Sequence, residues 1–143
     1  MLDKEIHIGR KLFEEIDIPT ESKIIFENKE EGVVERESTW TGEIKGYDSF
    51  PSGRAVGSGR SYIHNNGITI SHWRGDFKTE DKEKQELTFK GLDVNKNGKY
   101  VVLRTYFTKS KIVGWLDGLA CILGGEFETP AGIFRSTGYE LTF

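Results

Sequence analysis

The sequence predicts a mainly β protein: a single antiparallel meander β-barrel of about eight strands with one N-terminal amphipathic helix. Three observations lead there. Asn65-Asn66-Gly67 and Asn97-Gly98 sit between β-rich runs, and Asn-Gly supplies the positive φ angles that a tight hairpin turn requires. Trp40-Thr41-Gly42-Glu43-Ile44-Lys45 recurs as Trp73-Arg74-Gly75-Asp76-Phe77-Lys78, the same chemical order at each position and without a third copy that would mark a solenoid. Gly42, Gly57, Gly59, Gly75 and Gly91 fall inside β-type runs, where glycine weakens a flat strand but permits the sharp coiling that closes a barrel.

Each element has its own local warrant. Over about residues 3–16, Leu2, Ile6, Ile8, Leu12, Phe13 and Ile16 fall on one arc at the helical period, with Lys4, His7, Lys11 and Glu14 opposite. That spacing predicts a helix ended by Pro19. From about residue 23 to 143 the texture is short β-type runs, at 23–27, 33–46, 56–64, 68–78, 85–94, 99–108, 119–127 and 131–143. Asp117-Gly118 adds a further turn signal. Residues 1–143 thus read as one barrel domain, of a length that supports one core.

Composition narrows the class of function. The chain has 143 residues and a net charge of -3, and its 9 Phe, 5 Tyr and 3 Trp supply a core that a disordered chain would lack. With pI near 5.7 and no positive stripe standing out in the sequence, bulk attraction to nucleic acid or anionic lipid is not expected. Cys121 is the only cysteine and no Asn-x-Ser/Thr acceptor occurs, which favours a reducing, cytoplasmic setting. The N-terminus lacks the basic-then-apolar order of a secretory signal. The apolar stretch from Ile112 to Leu123 is interrupted by Gly114, Asp117 and Gly118 and is shorter than the roughly 20 residues a spanning helix needs.

Several motifs resolve to plain structure. Asp93-Val94-Asn95-Lys96-Asn97-Gly98 matches the first half of a calcium loop, but the twelfth position, where a bidentate Glu belongs, is Arg104. A hairpin turn explains it better. Ser52-Gly53-Arg54 and Ser58-Gly59-Arg60 fit neither the dinucleotide fingerprint nor the P-loop. His7, His64 and His72 show no paired metal spacing, and His64 and His72 are expected on opposite faces of their hairpin. No metal or cofactor is expected. Cys121, in an apolar run, reads as a buried inert thiol.

Strand parity yields the main constellation. If Asn66 and Gly67 are the two turn residues, Arg60, Tyr62 and His64 share the face of Trp73 and Phe77, which the Trp-x-Gly echo, with Trp40, marks as interior. Pairing across Asn97-Gly98 puts Arg104 and Tyr106 inward with Leu87 and Phe89. On the last run Arg135 shares parity with Ile133, Tyr139, Leu141 and Phe143. Three arginines are therefore expected to face an aromatic interior, where an unpaired guanidinium costs several kcal/mol and cannot shed its proton. Either Arg60, Arg104 and Arg135 hold a ligand's carboxylate or phosphate beside Trp40, Trp73, Tyr62 and Tyr106, or they snorkel to the rim or pair with carboxylates such as Glu83 and Glu126. The second alternative is the plainer one. His72, Arg74 and Asp76 are expected on the solvent face, where Ile63, Ile68 and Ile70 want cover that the helix could supply.

The meander, its Asn-Gly turns and the Trp-x-Gly starts at Trp40 and Trp73 resemble the small antiparallel barrels of the calycin and allene-oxide-cyclase-like kind over roughly residues 23–143. Trp40 and Trp73 precede their glycines, unlike the Gly-x-Trp of lipocalins, so no catalytic residue carries over. The groups the chain resembles include ligand carriers, isomerases and cyclases; with the expected inward arginines, the first reading is a barrel binding a small, amphipathic, anionic ligand. Alternatives are an isomerase- or cyclase-type enzyme using His64 or Tyr106 for proton transfer in the same cavity, or a solid barrel acting as a structural or oligomerisation module. The expected partner is a small molecule, without nucleic acid or membrane, and the chain could pair as a homodimer.

Overall fold

The computed structural model describes residues 5–143; Leu2 and Lys4 of the predicted helix lie outside the described residues. Eight antiparallel strands run in chain order: β1 (His7–Asn28), β2 (Val33–Gly46), β3 (Gly53–His64), β4 (Ile68–Thr79), β5 (Glu86–Lys96), β6 (Lys99–Phe107), β7 (Ala120–Glu128) and β8 (Ile133–Thr142). Each pairs with the next, and β8 pairs with β1 to close a barrel. The predicted meander and strand number match this order. The only helical segment among the described residues is a 3-10 turn, Gly114–Leu116.

The N-terminal helix is therefore a correction: its residues are the first half of β1. Closure decides it, because β8 finds its second partner only in the stretch from His7 to Asp17. Bulges between Ile8 and Lys11 and between Lys11 and Phe13 break the two-residue alternation. Adjacent Leu12 and Phe13 are both buried in consequence, and this spacing imitates a helical stripe.

A second correction concerns register. Lys96 pairs with Lys99 across Asn97 and Gly98, at φ 55° and 89°, the two-residue turn the sequence predicts. In the earlier hairpin Ile63 pairs with Thr69, so Asn65, Asn66 and Gly67 all belong to the turn, with Gly67 at φ 87°. One extra turn residue turns every side chain of β3 over. Arg60, Tyr62 and His64 therefore face outward, opposite His72 and Ile70, while Gly57, Gly59 and Ser61 face inward. His64 and His72 consequently share the outer face.

The third correction is β8. Phe134, Ser136 and Gly138 point inward, and Arg135 with Ile133, Tyr139 and Leu141 points outward. Position 138 must be glycine because a Cβ there would overlap the Phe13 ring. The apolar side of this strand is thus not its core side.

One end of the barrel is shut by the connections Tyr47–Ser52 and Thr108–Leu119, which insert Phe50, Val113 and Leu116. Phe13, Phe50, Phe89, Trp40 and Tyr106 follow as a chain of ring contacts with centroids 4.9 to 5.7 Å apart. Such pairs contribute about 0.5–1.5 kcal/mol each beyond area burial. The hairpin turns at Asn65–Gly67 and Asn97–Gly98 mark the other end.

Candidate functional site

Of the eight sequence-predicted site residues, Trp40, Trp73, Arg104 and Tyr106 face the interior, and Arg60, Tyr62, His64 and Arg135 do not. Arg60 lies half exposed against Glu37 at 3.0 Å, and Arg135 pairs with Glu128 at 2.8 Å. The convergence of three arginines is therefore not present. Arg104 alone is buried, at 5% exposure, and it is already compensated. Its Nη1 and Nη2 donate to Glu15 Oε1 and Oε2 at 2.6 and 2.8 Å, a bidentate pair between groups 89 residues apart. Nη1 also donates to Tyr106 Oη at 3.1 Å, and the guanidinium lies 4.5 Å from the Phe89 ring centre.

Three further polar side chains join this pair. Glu15 sits across from Ser136, Ser136 across from Gly125, and Gly125 across from Tyr100, a single row over β1, β8, β7 and β6. Gly125 leaves the space the Tyr100 hydroxyl occupies: a Cβ there would stand 2.7 Å from that oxygen and 2.8 Å from Ser136 Cβ. Asp17 is the next inward residue of β1 after Glu15. Tyr100 Oη, Ser136 Oγ and Asp17 Oδ1 are buried and make no hydrogen bond of good geometry, although Ser136 lies near enough to Tyr100, and Glu15 to Asp17, to influence its titration.

The electrostatics split the two carboxyls. Burial pushes Glu15 up, but the charge and hydrogen bonds of Arg104 outweigh it and hold Glu15 below its ordinary value. For Asp17, burial and then the Glu15 charge push the carboxyl up to about 10, so it carries its proton at neutral pH. The cluster therefore holds one anion, one cation and one neutral acid, with no net charge. Burial likewise raises Tyr100 and pushes the fully buried Cys121 thiol up to about 12, in keeping with an inert cysteine.

Nearer the hairpin-turn end, Trp73 Nε1 donates to Asp93 Oδ2 at 3.2 Å, and Ser61 and Ser71 share a 2.8 Å hydrogen bond. Asp93 Oδ1 is a fourth buried oxygen without a partner, and burial raises its carboxyl. Glu15, Asp17, Tyr100 and Ser136 are absent from the sequence expectation, which weighed Asp93 only as part of a calcium loop. Tyr100 shares parity with Arg104 and Tyr106, and Phe13-x-Glu15-x-Asp17 alternates with period two, so both signals stand in the chain. The helical arc through Phe13 and Ile16 conceals the second.

Comparison with known proteins gives the fold alone. No family model matches the chain, and no curated protein matches it in sequence. Solved structures do. A conserved protein of unknown function from Rhodopseudomonas palustris matches with TM-score 0.74 at 13% identity, over 97% of this chain and 99% of its own. A β-barrel-like protein from Acinetobacter baumannii matches with TM-score 0.70 at 16% identity, over 99% of each chain. A structure described as an enzyme, from Penicillium herquei, matches with TM-score 0.60 at 12% identity, over 97% of this chain and 100% of its own. These similarities show a β-barrel-like fold. Among the described residues no helix is long and apolar enough to cross a membrane.

Proposed function

We propose that the interior of the barrel binds a small, uncharged molecule rich in hydrogen-bonding groups, held beside Asp17, Tyr100 and Ser136. One observation carries this reading: three buried oxygens that make no hydrogen bond of good geometry gather next to a fully paired Glu15–Arg104 bridge. A buried polar group left unpaired costs about 1–3 kcal/mol, and interiors seldom keep several together unless water or a ligand satisfies them. Protonated Asp17 and the two hydroxyls can each donate, which suits a carbonyl, hydroxyl or amide. Because Glu15 neutralises Arg104, the site has no fixed positive charge to select an anion. The aromatic rings of Trp40, Trp73 and Phe134 supply the apolar wall that small-molecule sites use.

A second reading, an isomerase or cyclase, rests on the split between Glu15 and Asp17: two carboxyls held apart in proton affinity are a common means of assigning acid and base roles. Here the base would be Glu15 and the acid Asp17 or Tyr106, whose phenol burial keeps protonated, with His64 excluded by its outward position.

Thermal unfolding of Tyr100→Phe and Ser136→Ala tests the binding reading. In ligand-free protein the two changes remove unpaired hydroxyls and should leave Tm unchanged or raise it. Native mass spectrometry of protein drawn from its own cell extract should show a retained small molecule in the wild type that the double variant loses. Wild-type protein carrying no added mass, with both variants strongly destabilised, would sink the proposal.

A further inference from the structure

The outer wall of the barrel carries a charge distribution that the composition hides. On β3 to β6 the outward positions hold seven cations, Arg54, Arg60, Arg74, Lys78, Lys90, Lys96 and Lys99, against two acids, Asp76 and Glu86. The chain as a whole is at -3. The absence of a positive stripe in the sequence is thus corrected in three dimensions: the alternation of each strand puts its basic residues on one side, and the register aligns the strands.

A groove of about 1370 Å³ crosses this wall. It runs across the strands from β2 to β6, about 19 Å at the ordinary spacing between strands, and the Thr20–Lys23 stretch of β1 flanks its β2 end. Its chemistry is graded along that length. At the β2 end Glu37 is engaged by Lys23 at 3.5 Å and by Arg60 at 3.0 Å. In the middle Arg74 and Lys90 stand directly opposite one another on neighbouring strands, and neither has a carboxylate within 4.0 Å among the described residues. Like charges so placed destabilise a sheet unless something compensates them. At the β6 end Leu92, Leu103 and Phe107 are 51%, 49% and 43% exposed, an apolar patch of the kind that marks binding surfaces.

We propose that this groove binds a single-chain amphiphilic anion, its carboxylate or phosphate head on Arg74 and Lys90 and its alkyl chain along Leu92, Leu103 and Phe107. The uncompensated cations ask for an anion and the adjoining side chains ask for hydrocarbon. A nucleic acid would satisfy only the first demand, since phosphate contacts leave the aliphatic end uncovered. A groove recessed into the wall suits one chain better than a planar bilayer. The side chains proposed to hold the amphiphile, Arg74, Lys90, Leu92, Leu103 and Phe107, are none of those proposed to hold the interior ligand; Trp73 borders both, and substitutions that spare it separate the two.

The test is calorimetric titration with dodecyl phosphate and dodecanoate below their micelle-forming concentrations, with dodecyltrimethylammonium and butyl phosphate as controls. Both long-chain anions should bind, and the cation and the short anion at least tenfold more weakly. R74Q/K90Q, which alters only exposed side chains, should weaken the long anions at least tenfold; L103N should do the same, with circular dichroism checking its fold. Tyr100→Phe, whatever it does to the interior site, should leave the affinity for these amphiphiles as it is in the wild type. Equal binding of the cation, or of R74Q/K90Q, overturns the proposal, as does loss of binding in Tyr100→Phe alone, which would put the amphiphile inside the barrel. Sedimentation with acidic phospholipid vesicles, binding to a single-stranded oligonucleotide and light scattering of L103N separate the other occupants. Vesicle or oligonucleotide binding without monomer binding, or a dimer that L103N splits, likewise overturns it.

Discussion

The Glu15–Arg104 pair shows how one residue's environment fixes another's. Removing either partner leaves a buried charge alone, which costs about 3–5 kcal/mol, whereas replacing both with apolar groups of similar volume often costs little. Arg104→Met should therefore lower stability by about 3–5 kcal/mol, and Glu15→Leu with Arg104→Met should recover most of it in urea titrations; simple additivity of the two changes would contradict the pairing. Asp17 has a different signature. Its folded carboxyl, raised to about 10 by burial and then by Glu15, holds a proton that the unfolded chain releases near the ordinary carboxylate value. Stability must fall as pH rises between those limits, because the unfolded state there binds fewer protons. Asp17→Asn should flatten this slope and raise stability at pH 9 by at least about 1 kcal/mol, or about 2–4 °C in Tm for a domain of this size. A wild-type Tm that climbs from pH 6 to pH 9 would refute the buried neutral acid.

Turns set the faces of the elements. Asn97-Gly98 makes a two-residue turn and Asn65-Asn66-Gly67 a three-residue one, and that single residue separates an inward Arg104 from an outward Arg60. Gly67→Ala should cost about 1–3 kcal/mol, because φ 87° strains any side chain and a Cβ there would meet Asn97 Oδ1 at 2.5 Å. Gly98→Ala, at φ 89° but with open space around the Cβ position, should cost less. Equal losses in thermal unfolding would show that crowding at Gly67 plays no part. β1 teaches a related lesson. Its bulges place Leu12 and Phe13 together in the core, and a stripe that satisfies two periods at once cannot choose between helix and strand without its neighbours.

At the scale of the molecule, closure makes the parts interdependent. β1 pairs with both β2 and β8, so the ring closes through residues at opposite ends of the chain, the one pairing among the described residues between strands distant in sequence, and the hairpins are tied into a single unit. Urea unfolding followed by far-ultraviolet circular dichroism and by tryptophan fluorescence should give coincident transitions; separated midpoints would show that the ring opens in stages. The register of β3 to β6 turns lysines and arginines scattered along the sequence into one basic wall on a chain whose net charge is negative.

Turn chemistry, strand count and the inward direction of Trp40, Trp73, Arg104 and Tyr106 were legible in the residues, because Asn-Gly turns and two-residue alternation are local properties. The β1 strand, the outward Arg60 and Arg135, and the meeting of Glu15 with Arg104 were not. A turn of two or three residues, a bulge, and a partner 89 positions away are settled only when the strands compete for one another's hydrogen bonds. Sequence by itself determined that this chain would form a meander with aromatic residues inside; the closed ring decided which charges were buried in pairs and which were left facing water.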